Sequence, residues 1–116
     1  MTKTISSSLI KDTKGILALC QDSQNPIIVQ TNGTPVLVLM DAAAFEYQFK
    51  DSRKLPDILK RISHRPLRLP ITILKYTSKT VDTCNKADEP IYLQRYNRDE
   101  LVIMSPKVFE RIVKAS

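Results

Sequence analysis

Basic side chains are the residues of this sequence with the clearest capacity to act on a partner molecule. Each ammonium or guanidinium group can neutralise a phosphate, and an arginine can also contact guanine through two hydrogen bonds. Lysines cluster near the starts of two predicted helices, and arginines lie beside a predicted hairpin tip and in the segment between two related regions. The candidate DNA-binding residues are Lys11, Lys14, Lys75, Lys79, Arg95, Arg98, Arg61, Arg65 and Arg68.

The net charge of +6 is unevenly distributed along the 116 residues. Basic and acidic side chains cancel over residues 1–50, whereas segment 51–70 has six basic residues against two acidic ones. A polyanionic partner would explain this balance, but an ordinary solvated surface explains it about as often. Charge alone therefore leaves both interpretations open.

Catalytic and metal-binding patterns are not recognisable in the sequence. His64 is the single histidine, and it has no Cys, Asp or Glu at metal-ligand spacing. Neither a Ser-His-Asp set nor a glycine-rich phosphate loop is present, and Gly15 and Gly33 have structural explanations. We therefore expect no enzyme activity, cofactor or metal.

Residues 11–50 and 75–114 are two copies of one pattern at a constant offset of 64 residues. A module of this size is too large for a solenoid repeat and too small to bury a good core alone. We therefore expect the copies to pack on each other as an intramolecular dimer. The identical pairs are Lys11/Lys75, Thr13/Thr77, Cys20/Cys84, Pro26/Pro90, Ile27/Ile91, Gln30/Gln94, Leu37/Leu101, Val38/Val102, Met40/Met104, Phe45/Phe109, Glu46/Glu110 and Lys50/Lys114.

The first copy has the periodicity of a β-α-β-β-α unit. An edge strand is expected over residues 2–6, and strands over 27–31 and 36–40 are joined at Asn32-Gly33, a strong hairpin signal. Asp41 is predicted to cap the second helix. The first helix is predicted to follow serine N-caps and to bury one face, formed by Leu9, Thr13, Ile16, Leu17 and Cys20.

The second copy repeats this unit with altered details. Leu67 and Leu69 alternate as the entry strand, Thr72 replaces a serine as helix cap, and Ser105 with Pro106 starts the last helix. The glycine of the hairpin is lost, and the tripeptide 97–99 is predicted to form a wider or differently twisted tip.

These patterns predict an α+β fold built from tandem duplicated units. The boundaries are residues 1–50 for the first unit, 51–66 for a basic linker with a short helix, and 67–116 for the second unit. Apolar runs are too short to span a bilayer, and no secretory signal is visible, so we expect a cytoplasmic protein without a membrane partner. Cys20 and Cys84 are expected to be reduced thiols in the core.

Residues 25–40, NPIIVQTNGTPVLVLM, followed by a capped helix with Phe45-Glu46, resemble the Phd/YefM antitoxin family. Residues 89–97, EPIYLQRYN, and 100–105, ELVIMS, are similar to its YefM branch, and residues 5–11 resemble its N-terminal strand and helix start, with Lys11 where an arginine is usual. The resemblance implies a Phd/YefM-like pseudo-dimer on one chain. Two units would join their sheets and present their N-terminal helices to operator DNA, usually to autoregulate a toxin-antitoxin operon.

Three functions follow as alternatives. The leading one is a transcriptional regulator that binds double-stranded DNA, with a cognate toxin as a further partner and self-association of pseudo-dimers left open. The second is a protein-binding module that neutralises a toxin or another partner without binding DNA. The third is a structural remnant that oligomerises through its sheets.

Toxin binding is the least supported of these expectations. Family members neutralise toxin with a segment that follows the fold, whereas this chain ends at Ser116. Only the linker occupies a corresponding place, and its apolar face could enter a partner's groove. The same face could cover the chain's own core, which is the commoner role of an amphipathic helix. The face consists of Leu55, Ile58, Leu59 and Ile62.

Overall fold

The computed structural model describes residues 3–50 and 67–115, which we call the first half and the second half. Both halves have the same order of elements: a strand, a 3₁₀ turn, a helix, two strands and a helix. The first half consists of β1 (Lys3–Ser6), a 3₁₀ turn (Ser7–Lys11), α1 (Thr13–Ser23), β2 (Ile27–Thr31), β3 (Thr34–Asp41) and α2 (Ala42–Phe45), which continues as a π-helical turn (Glu46–Lys50). The second half consists of β4 (Leu67–Pro70), a 3₁₀ turn (Ile71–Lys75), α3 (Thr77–Ala87), β5 (Ile91–Arg95), β6 (Arg98–Met104) and α4 (Pro106–Ala115).

One six-stranded sheet joins the two halves, in the order β1-β2-β3-β6-β5-β4. The outer pairs are parallel, and the three inner pairs are antiparallel. The halves meet where β3 pairs with β6, with Leu39 opposite Ile103 at the centre of the register. The predicted α+β class is therefore confirmed, with a mixed sheet at its centre.

Helices cover both faces of this sheet, because successive side chains of a strand point to opposite sides. Odd-numbered strand residues such as Leu37 and Leu101 pack with α1 and α3 in one hydrophobic core. Even-numbered residues such as Met40 and Met104 pack with α2 and α4 in a second core. Each core contains side chains from both halves, so the described residues are held together by shared burial of apolar surface.

The starts of α2 and α4 match the prediction. The Asp41 carboxylate accepts a hydrogen bond from the backbone N–H of Ala44 at 3.1 Å, and the Ser105 hydroxyl accepts one from Val108 at 3.2 Å. Both caps are buried, where an unsatisfied amide would be costly.

The starts of α1 and α3 differ from the prediction. A 3₁₀ turn precedes each helix and rotates the chain, so Ile10 is fully buried whereas Leu9 is 53% exposed. Leu9 therefore does not belong to the buried helix face. In the second half α3 begins only at Thr77, and the residue before it, Tyr76, forms no side-chain cap. The prediction that Thr72 caps this helix is wrong, because Thr72 lies inside the preceding 3₁₀ turn.

The second hairpin also differs from the prediction. Its tip is the two-residue turn Tyr96-Asn97, with φ angles of 54° and 59°, and it matches Asn32-Gly33, with φ angles of 51° and 79°. The predicted wider tip at 97–99 is wrong, because asparagine tolerates the left-handed conformation well enough to replace the glycine. Arg98 instead begins β6 and pairs with Arg95 across the strands.

Cys20 and Cys84 are free thiols, buried in the first core as expected. Burial raises the pKa of both thiols to about 12, and the nearby charge of Asp41 adds to the effect on Cys20. Within residues 3–50 and 67–115, no helix combines the length and the hydropathy that are needed to cross a bilayer.

Candidate nucleic-acid interface

Lys11 and Lys75 end the two 3₁₀ turns, and both side chains are exposed. The two turns contact each other, and each also contacts the helix that follows the other turn. A shallow depression of about 420 Å³ lies here and is bordered by both lysines and by Lys79. The remaining lining residues are Tyr76, Thr77 and Ser78. Three of the predicted DNA-binding residues are thus brought together from both halves of the chain.

The start of α1 is shaped by Asp12 and Gly15. An Asp12 carboxylate oxygen accepts a hydrogen bond from the Gly15 N–H at 3.2 Å. A Cβ atom at Gly15 would lie 2.5 Å from the other carboxylate oxygen, so a larger residue would displace this cap. Lys14 projects from the same turn and is exposed, but it does not border the depression.

The start of α3 has different chemistry at the equivalent positions. Tyr76 replaces Asp12 and Lys79 replaces Gly15, and no side chain caps the first turn. The hydroxyl of Thr80 donates towards the carbonyl oxygens of Ile73, at 2.6 Å, and Tyr76, at 2.9 Å. Because this hydroxyl donates, it does not accept a hydrogen bond from the backbone N–H groups of the first turn, and no other side chain caps them.

The tip of the second hairpin combines two arginines with an exposed ring. Tyr96 is 86% exposed, and the guanidinium carbon of Arg95 lies 5.4 Å from the centre of its ring. Such an arrangement holds the guanidinium group by a cation-π interaction. The Nε atom of Arg95 is buried and has no hydrogen-bond partner among the described residues. Arg98 is exposed beside it.

Arg68 has a contact within the protein that the sequence did not indicate. Its Nε donates to Asp99 at 3.2 Å, and its guanidinium carbon lies 5.9 Å from the centre of the Tyr92 ring. Asp99 also accepts from Gln94 at 3.0 Å. Arg68 therefore pairs β4 with the second hairpin, and much of its charge is already compensated.

Several predicted site residues lie outside the part of the chain that the structure describes. These residues are Arg61, Arg65, Leu55, Ile58, Leu59 and Ile62. Within the described ranges, no three His, Cys, Asp or Glu side chains come together as a metal-binding group.

Sequence reasoning missed the aromatic part of this surface, namely Tyr76 and Tyr96. A signal was present, because these residues stand where the first half has Asp12 and Asn32. A comparison of the mismatched positions of the repeat would have identified them. Comparisons of the chain with protein-family models, with curated proteins and with solved structures gave no match.

Proposed function

We propose that this chain is a DNA-binding transcriptional regulator of the Phd/YefM antitoxin type. The observation that carries the proposal is the position of Lys11 and Lys75, which border one depression together with Lys79. Three ammonium groups around a shallow surface suit the phosphate backbone of a duplex, which is recognised chiefly by neutralisation of its charge.

The proposal includes an intramolecular pseudo-dimer of two tandem units. The register between β3 and β6 supports it, because Val38 pairs with Met104 and Met40 pairs with Val102. The offset of 64 residues converts one of these pairs into the other, as a two-fold axis through Leu39 and Ile103 requires. Two units on one chain would also remain paired at any protein concentration, because the linker keeps their effective concentration high.

The toxin-antitoxin part of the proposal rests on the resemblance of residues 25–40 and 89–105 to the family. In this proposal the chain represses its own operon in the cytoplasm. A cognate toxin, if one exists, would contact the linker, residues 51–66. The alternative function is a protein-binding module that has no affinity for DNA. A measurement of binding to duplex DNA distinguishes the regulator from this module.

The test is fluorescence anisotropy with a labelled mixed-sequence duplex, measured between about 50 and 200 mM salt. The affinity of the wild-type chain should fall steeply as salt rises, because binding releases counterions from the DNA. The double variant Lys11→Ala/Lys75→Ala should lower the slope of log affinity against log salt by about two units, one for each lost phosphate contact.

A matched control removes the same charge from the opposite face of the sheet. Lys107 and Lys114 lie on α4, and Lys114 already pairs with Glu110 at 2.9 Å. The variant Lys107→Ala/Lys114→Ala should keep the wild-type slope. Equal salt slopes for the two double variants would show that the depression is not part of the DNA interface. A wild-type chain without salt-dependent binding would overturn the proposal and favour the protein-binding alternative.

A further inference from the structure

The two halves carry different charge at two pairs of equivalent positions, the starts of α1 and α3 and the tips of the two hairpins. At the helix starts, each half has a second lysine, Lys14 or Lys79, but the first half also has the carboxylate of Asp12, which Tyr76 replaces in the second half. At the hairpin tips, the first half has Thr31 and Thr34, where the second half has Arg95 and Arg98.

We propose that the second half makes most of the phosphate contacts, so that the chain binds duplex DNA in one preferred orientation. This inference rests on the proposed function and adds a direction to it. A symmetric dimer presents two equal surfaces to DNA and reads inverted half-sites. A chain with unequal surfaces should instead prefer a site without that symmetry.

The two helix starts supply the first part of the argument. The Asp12 carboxylate occupies the Gly15 N–H and places a negative charge at the first turn of α1, so this helix start does not itself bind a phosphate, although Lys11 before it can. The first turn of α3 has no side-chain cap, and Lys75 and Lys79 flank it. An anion at this position gains both the helix dipole and two ammonium groups.

The hairpin tips supply the second, independent part. Pairing of Pro70 with Gln94 and of Ser6 with Gln30 places each tip beside the start of the 3₁₀ turn of its own half. Because β3 and β6 are antiparallel, the two tips lie at opposite ends of the sheet and would face opposite flanks of a duplex centred on the depression. In the first half the Thr31 hydroxyl donates to Ser7 at 2.9 Å, and no charge is present at the tip.

In the second half the Arg95 guanidinium group is held against Tyr96 while its Nε–H has no acceptor among the described residues. The Nε atom itself is inaccessible, but Arg95 as a whole is only partly buried, so its guanidinium group remains available for a charge-assisted contact with a phosphate. The exposed Arg98 adds a second cation at the same tip. The second tip can therefore contribute two phosphate contacts that the first tip lacks.

The first experiment exchanges residues between equivalent positions. Arg95→Thr/Arg98→Thr should lower the salt slope for a mixed-sequence duplex by about two units, and Thr31→Arg/Thr34→Arg should raise it. Among the lysines, Lys79→Ala should lower the slope by about one unit, whereas Lys14→Ala should leave it unchanged. Near-ultraviolet circular dichroism confirms that each variant is folded.

The second experiment selects binding sites from a random-sequence duplex pool with the full wild-type chain. The expected result is a consensus without two-fold symmetry. DNA binding with an inverted-repeat consensus, or with equal effects of the paired variants in both halves, would overturn the preferred orientation and leave the proposed function standing. Failure of the wild-type chain to bind any duplex would overturn both.

Discussion

Replacement of Leu39 by alanine tests whether the two halves form a single cooperative unit. Leu39 is fully buried at the centre of the β3–β6 pairing, opposite Ile103, and lies in the core that both halves share. Truncation of Leu39 leaves a cavity that is lined by side chains of both halves, so a rearrangement of one half alone cannot fill it. We expect a loss of about 3–5 kcal/mol in the free energy of unfolding, the upper part of the range for such changes.

A loss of this size is a large fraction of the roughly 5–15 kcal/mol that stabilises a typical domain. The melting temperature should fall on the order of 10–20 °C for a chain of this length. Leu9→Ala is the matched control, because Leu9 is 53% exposed. That variant should change the free energy of unfolding by no more than about 0.5 kcal/mol.

The assay follows thermal unfolding with two signals. Far-ultraviolet circular dichroism reports the whole chain. Near-ultraviolet circular dichroism reports chiefly Tyr92, a buried residue of the second half whose hydroxyl donates to Glu46 of the first half at 3.3 Å. Both signals should shift together in Leu39→Ala. A Tyr92 transition that stays at the wild-type temperature while the far-ultraviolet signal is lost earlier would show that the halves unfold independently.

Three further predictions concern local features. Gly33→Ala should lower the free energy of unfolding by about 1 kcal/mol, because φ is +79° there; the loss stays small because no atom is near enough to clash with the new side chain. Asn97→Gly, at the equivalent turn position, should maintain or raise the free energy of unfolding. Equal losses for both variants in urea denaturation would contradict the shared turn type. Because burial raises the pKa of Cys20 and Cys84 to about 12, both stay neutral in the folded state while unfolded thiols ionise above about pH 8.5. The melting temperature should therefore fall as the pH rises from about 9 to 11, and less steeply in Cys20→Ala/Cys84→Ala; an identical decline would exclude the thiols as its cause. Ser105→Ala should cost about 1 kcal/mol through loss of the buried helix cap, whereas Ser105→Asp, which copies the cap of the other half, should retain most of the stability measured in urea.

Local features of the fold were predictable wherever a short stretch of sequence decides the structure. The Asp41 and Ser105 caps and the Asn32-Gly33 turn depend on side chains within a few residues of one another, so composition and spacing suffice. The shared period of 64 residues also predicted that the halves would have the same order of elements.

The predictions fail where a position depends on its equivalent in the other half. The loss of glycine by itself suggests a different tip at 97–99, whereas the 64-residue register places the turn at Tyr96-Asn97, the equivalents of Asn32-Gly33. The starts of α1 and α3 differ from the prediction because a 3₁₀ turn, which winds more tightly than an α-helix, precedes each of them. In the first half this turn buries Ile10 and leaves Leu9 exposed.

By itself, the sequence determined the main strands and helices of the two halves, their repeated pattern and the surplus of positive charge, since all three are properties of residue order and composition. Only the tertiary structure decided that Lys11, Lys75 and Lys79 border one depression and that Arg68 is paired with Asp99. The physical reason is that these contacts depend on how β3 pairs with β6 and β4 with β5. Strand pairing brings together side chains that are tens of residues apart, and no local pattern records which of them will meet.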